Sequence, residues 1–383
     1  MKKILLLTSD FYPFAGACSN ISNSIANALI NYGYHVDVVK ACKSDASFSP
    51  LSIKSFSRSK TSDYLRVRDK IRVIIEKTII HLQKKTKTYY FNWFDYHSFF
   101  RLLKKIKAKE YDYIFSISGL FCNTFAAVDY CRKNRVNLIV YQVDPFLDNI
   151  TFSNITRKKR EKWAKKISED AFLLISPNYV SELKTLQKDN LIHLELPLVS
   201  ASQMCPIGSN NKNELKCIFV GSLSNSMRNP DYAIRLFERL ATEIHGLSVS
   251  FIGVDKEQVN SSFINCVGKL PLKVAKDEMQ KCDFLINIGN STTTQTPSKL
   301  FDYISTGKPI INFCKSKSCP TINYLSKYVN KINVMEDDVF FESNCKLVKA
   351  FLLEHHGLEE DVPQKYKEFT ADYFVRELSK YLS

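Results

Sequence analysis

Short apolar runs alternate with longer amphipathic stretches along almost the whole 383-residue chain. This alternation limits the possible folds most strongly, because strands separated by helix-length connections form parallel sheets built from βαβ units. The strands predicted in the first half are Ile4–Thr8, His35–Lys40, Tyr113–Ser118, Leu138–Val143, Phe172–Ser176 and Leu191–Leu196. The helices predicted between them are Asn20–Tyr32, Leu65–His81, Trp93–Lys107, Asn123–Lys133, Thr156–Glu169 and Asn178–Gln187.

The same pattern begins again after a polar, turn-rich segment, 201–214, which is typical of a linker. The strands predicted beyond it are Leu215–Val220, Leu247–Ile252, Ile264–Val267, Phe284–Ile288, Pro309–Phe313 and Ile332–Met335. The predicted helices are Pro230–Glu243, Leu272–Lys281, Ser298–Ser305, Thr321–Lys327, Val339–Glu354 and Tyr366–Tyr381. The sequence therefore predicts two doubly wound α/β domains in series, at 1–200 and 215–362. Two such sheets facing one another would form a ligand cleft at the carboxyl ends of their strands.

The eleven cysteines are scattered and contain no Cys-x-x-Cys pair, which indicates reduced thiols rather than disulfides or a zinc site. The seven histidines show no metal-ligand spacing either. The amino terminus does not resemble a signal peptide, because its apolar run ends at Leu7 and Asp10 follows. No run approaches the roughly 18 apolar residues that span a membrane. These features predict a cytoplasmic protein.

Positive charge is concentrated in the first half of the chain. Residues 1–200 hold 32 Lys/Arg and 18 Asp/Glu, which accounts for +14 of the formal net charge of +15. Within them, residues 54–109 hold 16 basic and 4 acidic residues interleaved with aromatic side chains. This composition suits an anionic surface such as lipid headgroups, or else a solvated helical face. No nucleic-acid-binding signature accompanies the charge, so nucleic acid is not an expected partner.

The loop FYPFAGACSN lies between the first predicted strand and the first predicted helix. Its small residues Gly16 and Ala17 would let an anion approach the N–H groups at the start of that helix. The alternative is an ordinary turn capped by Ser19 or Asn20.

A second loop follows the first strand of the second half, in CIFVGSLSNSMRNP. Gly221 and Ser222 lie at the strand end, where a glycine lets a phosphate approach closely. Arg228, just ahead of a helix, could pair bidentately with a diphosphate, or it could be a surface arginine.

The most specific motif is the polar loop and helix in TTTQTPSKLFDYISTGKPII. The helix is expected to begin near Pro297, leaving free N–H groups at Ser298 and Lys299 for a phosphate. Asp302, one turn further on, could then meet a sugar hydroxyl; a capped helix with a surface aspartate is the alternative. In the first half, Asp144 ends a buried strand in YQVDPF, where it is either a general base or a turn-starting residue.

These three loops together resemble the GT-B glycosyltransferases, most closely the family 4 sugar transferases of bacterial surface-polysaccharide assembly. TPSKLFDYISTGKPII is similar to the PSKLFEY-x-x-x-GKP signature common in that family. The resemblance spans nearly the whole chain. It implies that the first domain takes the acceptor, the second binds a nucleotide-sugar, and a last helix at 363–383 returns to the first domain.

The resemblance also implies roles for individual residues. Asp302 matches the family's second motif glutamate, which holds the ribose, and Arg228 matches the basic residue that neutralises the diphosphate. Ser298 and Lys299 match the diphosphate-binding N–H groups. The other implied positions are Gly221 and Ser222 at the diphosphate, Lys269 and Leu270 at the base, Thr294, Gln295, Thr296 and Pro297 at the donor sugar, Gly16 and Ala17 in the acceptor loop, and Asp144 and Asp10 at the acceptor.

Two departures from the family pattern matter. Thr294 stands where the first motif glutamate is usual, and Ser222 stands where an arginine follows the strand glycine; Lys299 could replace that arginine. The resemblance implies no cofactor and no metal, because Arg228 and a helix dipole would stabilise the leaving diphosphate.

The expected function is transfer of a sugar from a nucleotide-diphosphate donor to a lipid-linked or oligosaccharide hydroxyl in capsule, O-antigen or exopolysaccharide assembly. The basic region 54–109 would bring the enzyme to the inner face of the cell membrane. Two alternatives remain open: a nucleotide-sugar epimerase on the same fold, and a catalytically silent paralogue that binds nucleotide-sugar or membrane.

Overall fold

The computed structural model describes residues 1–9, 11, 16–40, 52–55, 78, 93–118, 121–144, 146–147, 157–177, 189–200, 214–223, 228–291, 297–354 and 360–382. The chain divides into two compact units. The first comprises Met1–Pro197 with Ala371–Ser383, and the second comprises Leu198–Thr370. The predicted linker, 201–214, lies outside the described residues except for its last residue.

The first unit contains a parallel sheet of seven strands in the order β3-β2-β1-β4-β5-β6-β7. The strands are β1 (Lys3–Thr8), β2 (His35–Lys40), β3 (Ser52–Ser55), β4 (Tyr113–Ile117), β5 (Asn137–Tyr141), β6 (Leu173–Ser176) and β7 (Leu191–His193). All six predicted strands are confirmed, although β7 ends three residues early. The sequence did not predict β3, because SIKS lacks the apolar run that marks the other strands.

Helices cover both faces of this sheet. They are α1 (Ala17–Asn31), α2 (Trp93–Lys105), α3 (Cys122–Asn134) and α4 (Arg157–Asp170). Alternate strand residues, among them Leu5, Leu7 and Ile114, form a buried core with α2, α3 and α4. The helices predicted at 65–81 and 178–187 lie almost entirely outside the described residues.

The second unit contains a parallel sheet of six strands in the order β10-β9-β8-β11-β12-β13. The strands are β8 (Leu215–Val220), β9 (Leu247–Ile252), β10 (Asn265–Val267), β11 (Phe284–Ile288), β12 (Ile310–Cys314) and β13 (Lys331–Met335). The central strands β11 and β12 are buried along their whole length, as expected for a parallel sheet covered on both faces.

The helices of this unit are α5 (Asp231–Ala241), α6 (Leu272–Lys281), α7 (Lys299–Thr306), α8 (Pro320–Tyr324), α9 (Phe341–Glu354) and α10 (Val362–Lys365). The helix α7 ends at Gly307, whose φ of 75° is the left-handed conformation that glycine adopts readily at a C-cap. The predicted pattern of two doubly wound α/β domains in series is confirmed.

The carboxyl terminus of the chain belongs to the first unit. A last helix, α11 (Ala371–Ser379), contacts α1, and the ring of its Phe374 lies 5.0 Å from that of Tyr141 in β5. The prediction of one continuous helix through this region is wrong. The backbone of Thr370 is extended, with φ −97° and ψ 151°, so the 3₁₀ turn Lys367–Phe369 stops before α11 begins.

Candidate functional site

The sheet of the second unit reverses its strand order between β8 and β11. At such a reversal the loops after the two strands lead to opposite faces of the sheet, which leaves a crevice between them. Open α/β sheets bind ligands in this crevice, at the carboxyl ends of the strands. The residues there are Gly221 and Ser222 after β8, and Gly289 and Asn290 after β11.

Arg228 connects the two strand ends. Its Nη2 and Nε donate to Oδ1 of Asn290 at 2.8 and 3.2 Å, and its Nη1 donates to the carbonyl oxygen of Ser222 at 3.2 Å. Burial lowers the pKa of the guanidinium. Arginine starts from so high a pKa that it remains charged at neutral pH. Arg228 is therefore a fixed positive charge at the reversal point, and the alternative of a loose surface arginine is wrong.

Gly221 leaves the space that the guanidinium occupies. A Cβ atom at Gly221 would lie 3.3 Å from Nη1 of Arg228 and 3.2 Å from the ring of Phe219. On its other side, a Cβ atom at Gly253 would lie only 2.7 Å from the carbonyl oxygen of Gly221. A side chain at Gly253 would therefore collide with the backbone, whereas one at Gly221 would press on the side chains of Phe219 and Arg228.

The helix α7 packs against this strand end through Tyr303. Tyr303 Oη accepts from the main-chain N–H of Val220 at 2.7 Å and donates to its carbonyl oxygen, 3.1 Å away. Val220 is the residue before Gly221, and Tyr303 is fully buried. Tyr303 is the fifth residue of α7, so this pair of hydrogen bonds holds the second turn of the helix against the end of β8.

The first turn of α7 also has N–H donors with no acceptor inside the helix. The N–H groups of Leu300 and Phe301 donate to the carbonyl oxygens of Pro297 and Ser298. The two preceding N–H groups, those of Ser298 and Lys299, come too early in the helix for an intrahelical acceptor. The helix therefore presents N–H donors and its positive dipole end, as the sequence predicts.

Two charged residues of this turn form an ion pair. Lys299 Nζ lies 2.9 Å from Asp302 Oδ2, and the Asp302 side chain is only 13% exposed. The alternative of a surface aspartate is wrong. Because the positive charge of Lys299 is opposed by a carboxylate, Lys299 is a weaker anion partner than its sequence position suggests.

The loop after β10 lies next to the loop after β9. The N–H of Gly253 donates to the carbonyl oxygens of Val267 and Gly268, at 2.8 and 3.2 Å. Leu270 follows, half-buried, while Lys269 is exposed. An apolar side chain is thus available after β10, which lies two strands away from β8 in the sheet.

In the first unit, Asp144 lies beyond the end of β5. The hydroxyl of Ser118 donates to the carbonyl oxygen of Tyr141 and accepts from the N–H of Val143, which fixes the backbone before Asp144. The carboxyl is half-buried, and burial raises its pKa from about 3.8 to about 6. Asp144 can therefore exchange a proton near neutral pH.

The remaining predicted site residues contribute less to this geometry. Gly16 is the N-cap of α1 and Ala17 its first residue, so the helix begins three residues before the predicted start. A cap by Ser19 or Asn20 is wrong, because both lie inside the helix and Ser19 Oγ accepts from Asn23. Four further predicted positions lie outside the described residues: Asp10, Thr294, Gln295 and Thr296.

Two residues that the sequence analysis did not single out organise the site. Asn290 anchors Arg228 from 62 positions away, and Tyr303 connects α7 to β8 from 83 positions away. Neither partner could be recognised from spacing along the chain.

The described residues contain neither a candidate metal centre nor a candidate membrane-spanning helix. No group of three or more His, Cys, Asp or Glu side chains there could hold a metal ion. No helix in the same residues has the length and hydropathy needed to cross a membrane.

The fold has well-matched counterparts among solved structures. Anabaena HepE, solved with UDP and glucose, superposes with a TM-score of 0.63 at 12% identity, covering 100% of this chain and 99% of HepE. The lipopolysaccharide outer core galactosyltransferase WaaB gives 0.59 at 12% identity over 99% of both chains. An alpha-glucosyltransferase in complex with UDP and DNA gives 0.58 at 10% identity over 100% of both chains.

Sequence comparison adds no relative. No protein-family model matches the chain, and no curated protein matches it. The order of the strands in both sheets and the full-length superpositions show that the chain has the GT-B fold.

Proposed function

We propose that this protein is a glycosyltransferase that moves a sugar from a nucleoside-diphosphate sugar to a hydroxyl group of an acceptor. The observation that carries the proposal is the junction of Tyr303 with Val220. It holds α7 against the end of β8, just before Ser222, whose carbonyl oxygen accepts from Arg228. A fixed cation and the N–H groups at the start of a helix packed on the same strand suit a diphosphate.

The donor would be held by groups of different chemistry. Arg228 and the N–H groups of Ser298 and Lys299 would take the diphosphate, and the Asp302 carboxylate would accept hydrogen bonds from the ribose hydroxyls. Leu270 would pack against the base. Among the structural neighbours, HepE was solved with UDP and glucose, and the spinosyn rhamnosyltransferase SpnG was solved with thymidine diphosphate.

Asp144 is the proposed general base toward the acceptor. In this proposal the acceptor hydroxyl attacks the anomeric carbon, the bond from that carbon to the diphosphate oxygen breaks, and Asp144 takes the hydroxyl proton. A pKa of about 6 leaves the carboxyl ionised at neutral pH yet basic enough to accept a proton. The leaving diphosphate is stabilised by Arg228 and the dipole of α7, so the proposal includes no cofactor and no metal.

The acceptor class is proposed from the charged surface of the first unit. Asp129 of α3 accepts from Tyr96 of α2 and from Lys166 of α4, both at 2.6 Å, so these three helices lie side by side. The helix α4 adds four exposed cations to the positive charge of the first unit: Arg157, Lys158, Lys162 and Lys165. Such a surface suits an anionic membrane leaflet that presents a lipid-linked acceptor.

We assign the reaction to surface-polysaccharide assembly at the inner face of the cell membrane. WaaB, which shares the fold, is named as a lipopolysaccharide outer core galactosyltransferase.

Calorimetry tests the donor part of the proposal. UDP, GDP and dTDP are titrated into the protein alongside the corresponding monophosphates. We expect at least one diphosphate to bind about tenfold or more tightly than its monophosphate, since the added phosphate meets Arg228. Equal affinity for a monophosphate and its diphosphate, or no binding of any of the three, would contradict the proposal.

A further inference from the structure

The positive charge of Arg228 is held by neutral groups. Its hydrogen-bond partners are the carboxamide oxygen of Asn290 and the carbonyl oxygen of Ser222. In the part of the chain that the structure describes, Arg228 forms no ion pair with a carboxylate. An arginine at such a position is oriented without losing any of its net charge.

Lys299 provides the contrast within the same site. Its ammonium group contacts the Asp302 carboxylate, so the net charge of that pair is zero. Ser222 contributes only a hydroxyl side chain, and it is exposed. Among the described residues there, an anion that arrives at the end of β8 therefore meets one uncompensated cation, Arg228. The orientation of the Arg228 guanidinium depends on Asn290.

The geometry of the contact explains how Asn290 fixes the guanidinium. Nε and Nη2 both donate to the single oxygen Oδ1 of Asn290, at 3.2 and 2.8 Å, along one edge of the planar group. The opposite edge carries Nη1, which donates to Ser222. Because donors on both edges are held by the ends of two strands, the plane of the guanidinium cannot rotate freely.

We infer that Asn290 is a positioning residue for the leaving diphosphate, which fixes the Arg228 guanidinium while leaving its full charge for the ligand. This inference rests on the proposed function. It explains why a carboxamide is suitable here: an aspartate would orient the guanidinium equally well but would neutralise it. A diphosphate would then face a salt bridge and would have to displace a carboxylate.

The charge part of the inference is tested by Asn290→Asp. Titration with pyrophosphate and with UDP should show affinity reduced about tenfold or more, comparable to the loss in Arg228→Ala. The dependence of affinity on salt should also weaken, because the site then carries one positive charge less. The matched control is Asn265→Asp, an exposed asparagine at the start of β10, which should bind both ligands as the wild type does.

The positioning part is tested by Asn290→Ala and a double-mutant cycle. Asn290→Ala should weaken pyrophosphate binding about tenfold in the wild-type background and not at all in Arg228→Ala, because the inferred effect of Asn290 on the ligand passes through the guanidinium. If Asn290 had a merely structural role, Asn290→Ala would reduce pyrophosphate affinity by the same factor in both backgrounds. In a ¹⁵N spectrum without ligand, the Arg228 Nε–H signal should be resolved in the wild type and broadened or shifted in Asn290→Ala.

The outcomes separate this inference from the proposed function. If the wild type binds UDP, GDP or dTDP and Asn290→Asp binds it equally well, the inference is wrong and the proposed function stands. If the wild type binds none of the three, the proposed function is wrong, and pyrophosphate titration still decides the inference. Equal pyrophosphate affinity in the wild type and Asn290→Asp, or an unchanged Arg228 signal in Asn290→Ala, would overturn it.

Discussion

Lys299 Nζ lies 2.9 Å from Oδ2 of Asp302, one turn later in α7. The two residues expected to bind different parts of a donor thus contact one another. This ion pair changes the expected roles. Lys299 is no longer the natural replacement for the arginine that the family has at the position of Ser222. In the proposed site, that role belongs to Arg228.

Replacing Asp302 should abolish recognition of the ribose. In the wild type we expect UDP to bind about tenfold more tightly than 2′,3′-dideoxy-UDP, since a buried carboxylate loses two hydroxyl partners. In Asp302→Ala the two ligands should bind equally, as calorimetry can measure. Glu278→Ala is the matched control, because it breaks another i,i+3 ion pair, with Lys281 at 3.2 Å on α6. Undiminished preference for UDP in Asp302→Ala would refute the ribose assignment.

Gly253 should tolerate no side chain. Its φ of 86° disfavours alanine, and a Cβ atom would lie 2.7 Å from the carbonyl oxygen of Gly221. Gly33 has a similar φ of 92° but nothing within 4 Å of a Cβ atom, so Gly33→Ala measures the backbone cost alone. Measured by urea unfolding, Gly33→Ala should lower the free energy of unfolding by about 1 kcal/mol. Gly253→Ala should lower it by about 1–3 kcal/mol more. Equal costs would show that the close approach to Gly221 is absent.

Asp144 should make stability depend on pH. Burial raises the pKa of its carboxyl from about 3.8 to about 6, so the folded state binds the proton more tightly than the unfolded state. The carboxyl therefore destabilises the fold progressively as pH rises from about 4 to 6, and the cost is constant above that. Asp144→Asn should be more stable than the wild type by on the order of 2 kcal/mol at pH 7 and no more stable at pH 4.

The same carboxyl should set the acid limb of the reaction. As the proposed general base, Asp144 must be ionised, so kcat/KM should fall about tenfold per pH unit below pH 6. Asp144→Asn should lose activity about a hundredfold or more across the whole range. The exposed Asp189→Asn is the control and should change neither stability nor the profile. An unchanged acid limb in Asp144→Asn would remove Asp144 from catalysis.

The basic surface of α4 should mediate membrane binding. Changing the exposed cations of α4 to glutamine should reduce sedimentation with vesicles containing anionic lipid about tenfold or more, at about 1 kcal/mol per charge. These positions are Arg157, Lys158, Lys162 and Lys165. The control changes four exposed lysines of the second unit, Lys273, Lys317, Lys346 and Lys367. Equal losses in the two variants would indicate unspecific attraction by net charge.

Much of the fold was predictable because a strand that is buried on both faces consists of a continuous run of apolar residues. The strands β8, β9 and β11 begin and end where their apolar runs do, and so does the amphipathic helix α6. The polar strand β3 lacks such a run, since it is specified by pairing with β2 rather than by its own residues. Thr370 interrupts the last helix through its backbone conformation, which no sequence period reveals.

The site was predictable only where one segment contains both partners. The start of α7 and the position of Asp302 follow from the order Pro, Ser, Lys and Asp along one helix. The anchoring of Arg228 depends on Asn290, which belongs to another strand and loop. Such long-range hydrogen bonds are fixed by the sheet order, so their partners emerge only once β8 and β11 are known to be neighbours.

The most direct test of the account is transfer of the sugar itself. Purified protein is incubated with UDP-, GDP- and dTDP-sugars labelled in the sugar, with and without a lipid extract from bacterial membranes. We predict that one donor passes its label to the lipid-linked fraction and releases an equal amount of nucleoside diphosphate. This transfer should be lost in the double variant Arg228→Ala/Asp302→Ala. Conversion of a donor without any acceptor, or unchanged transfer in the double variant, would contradict the account.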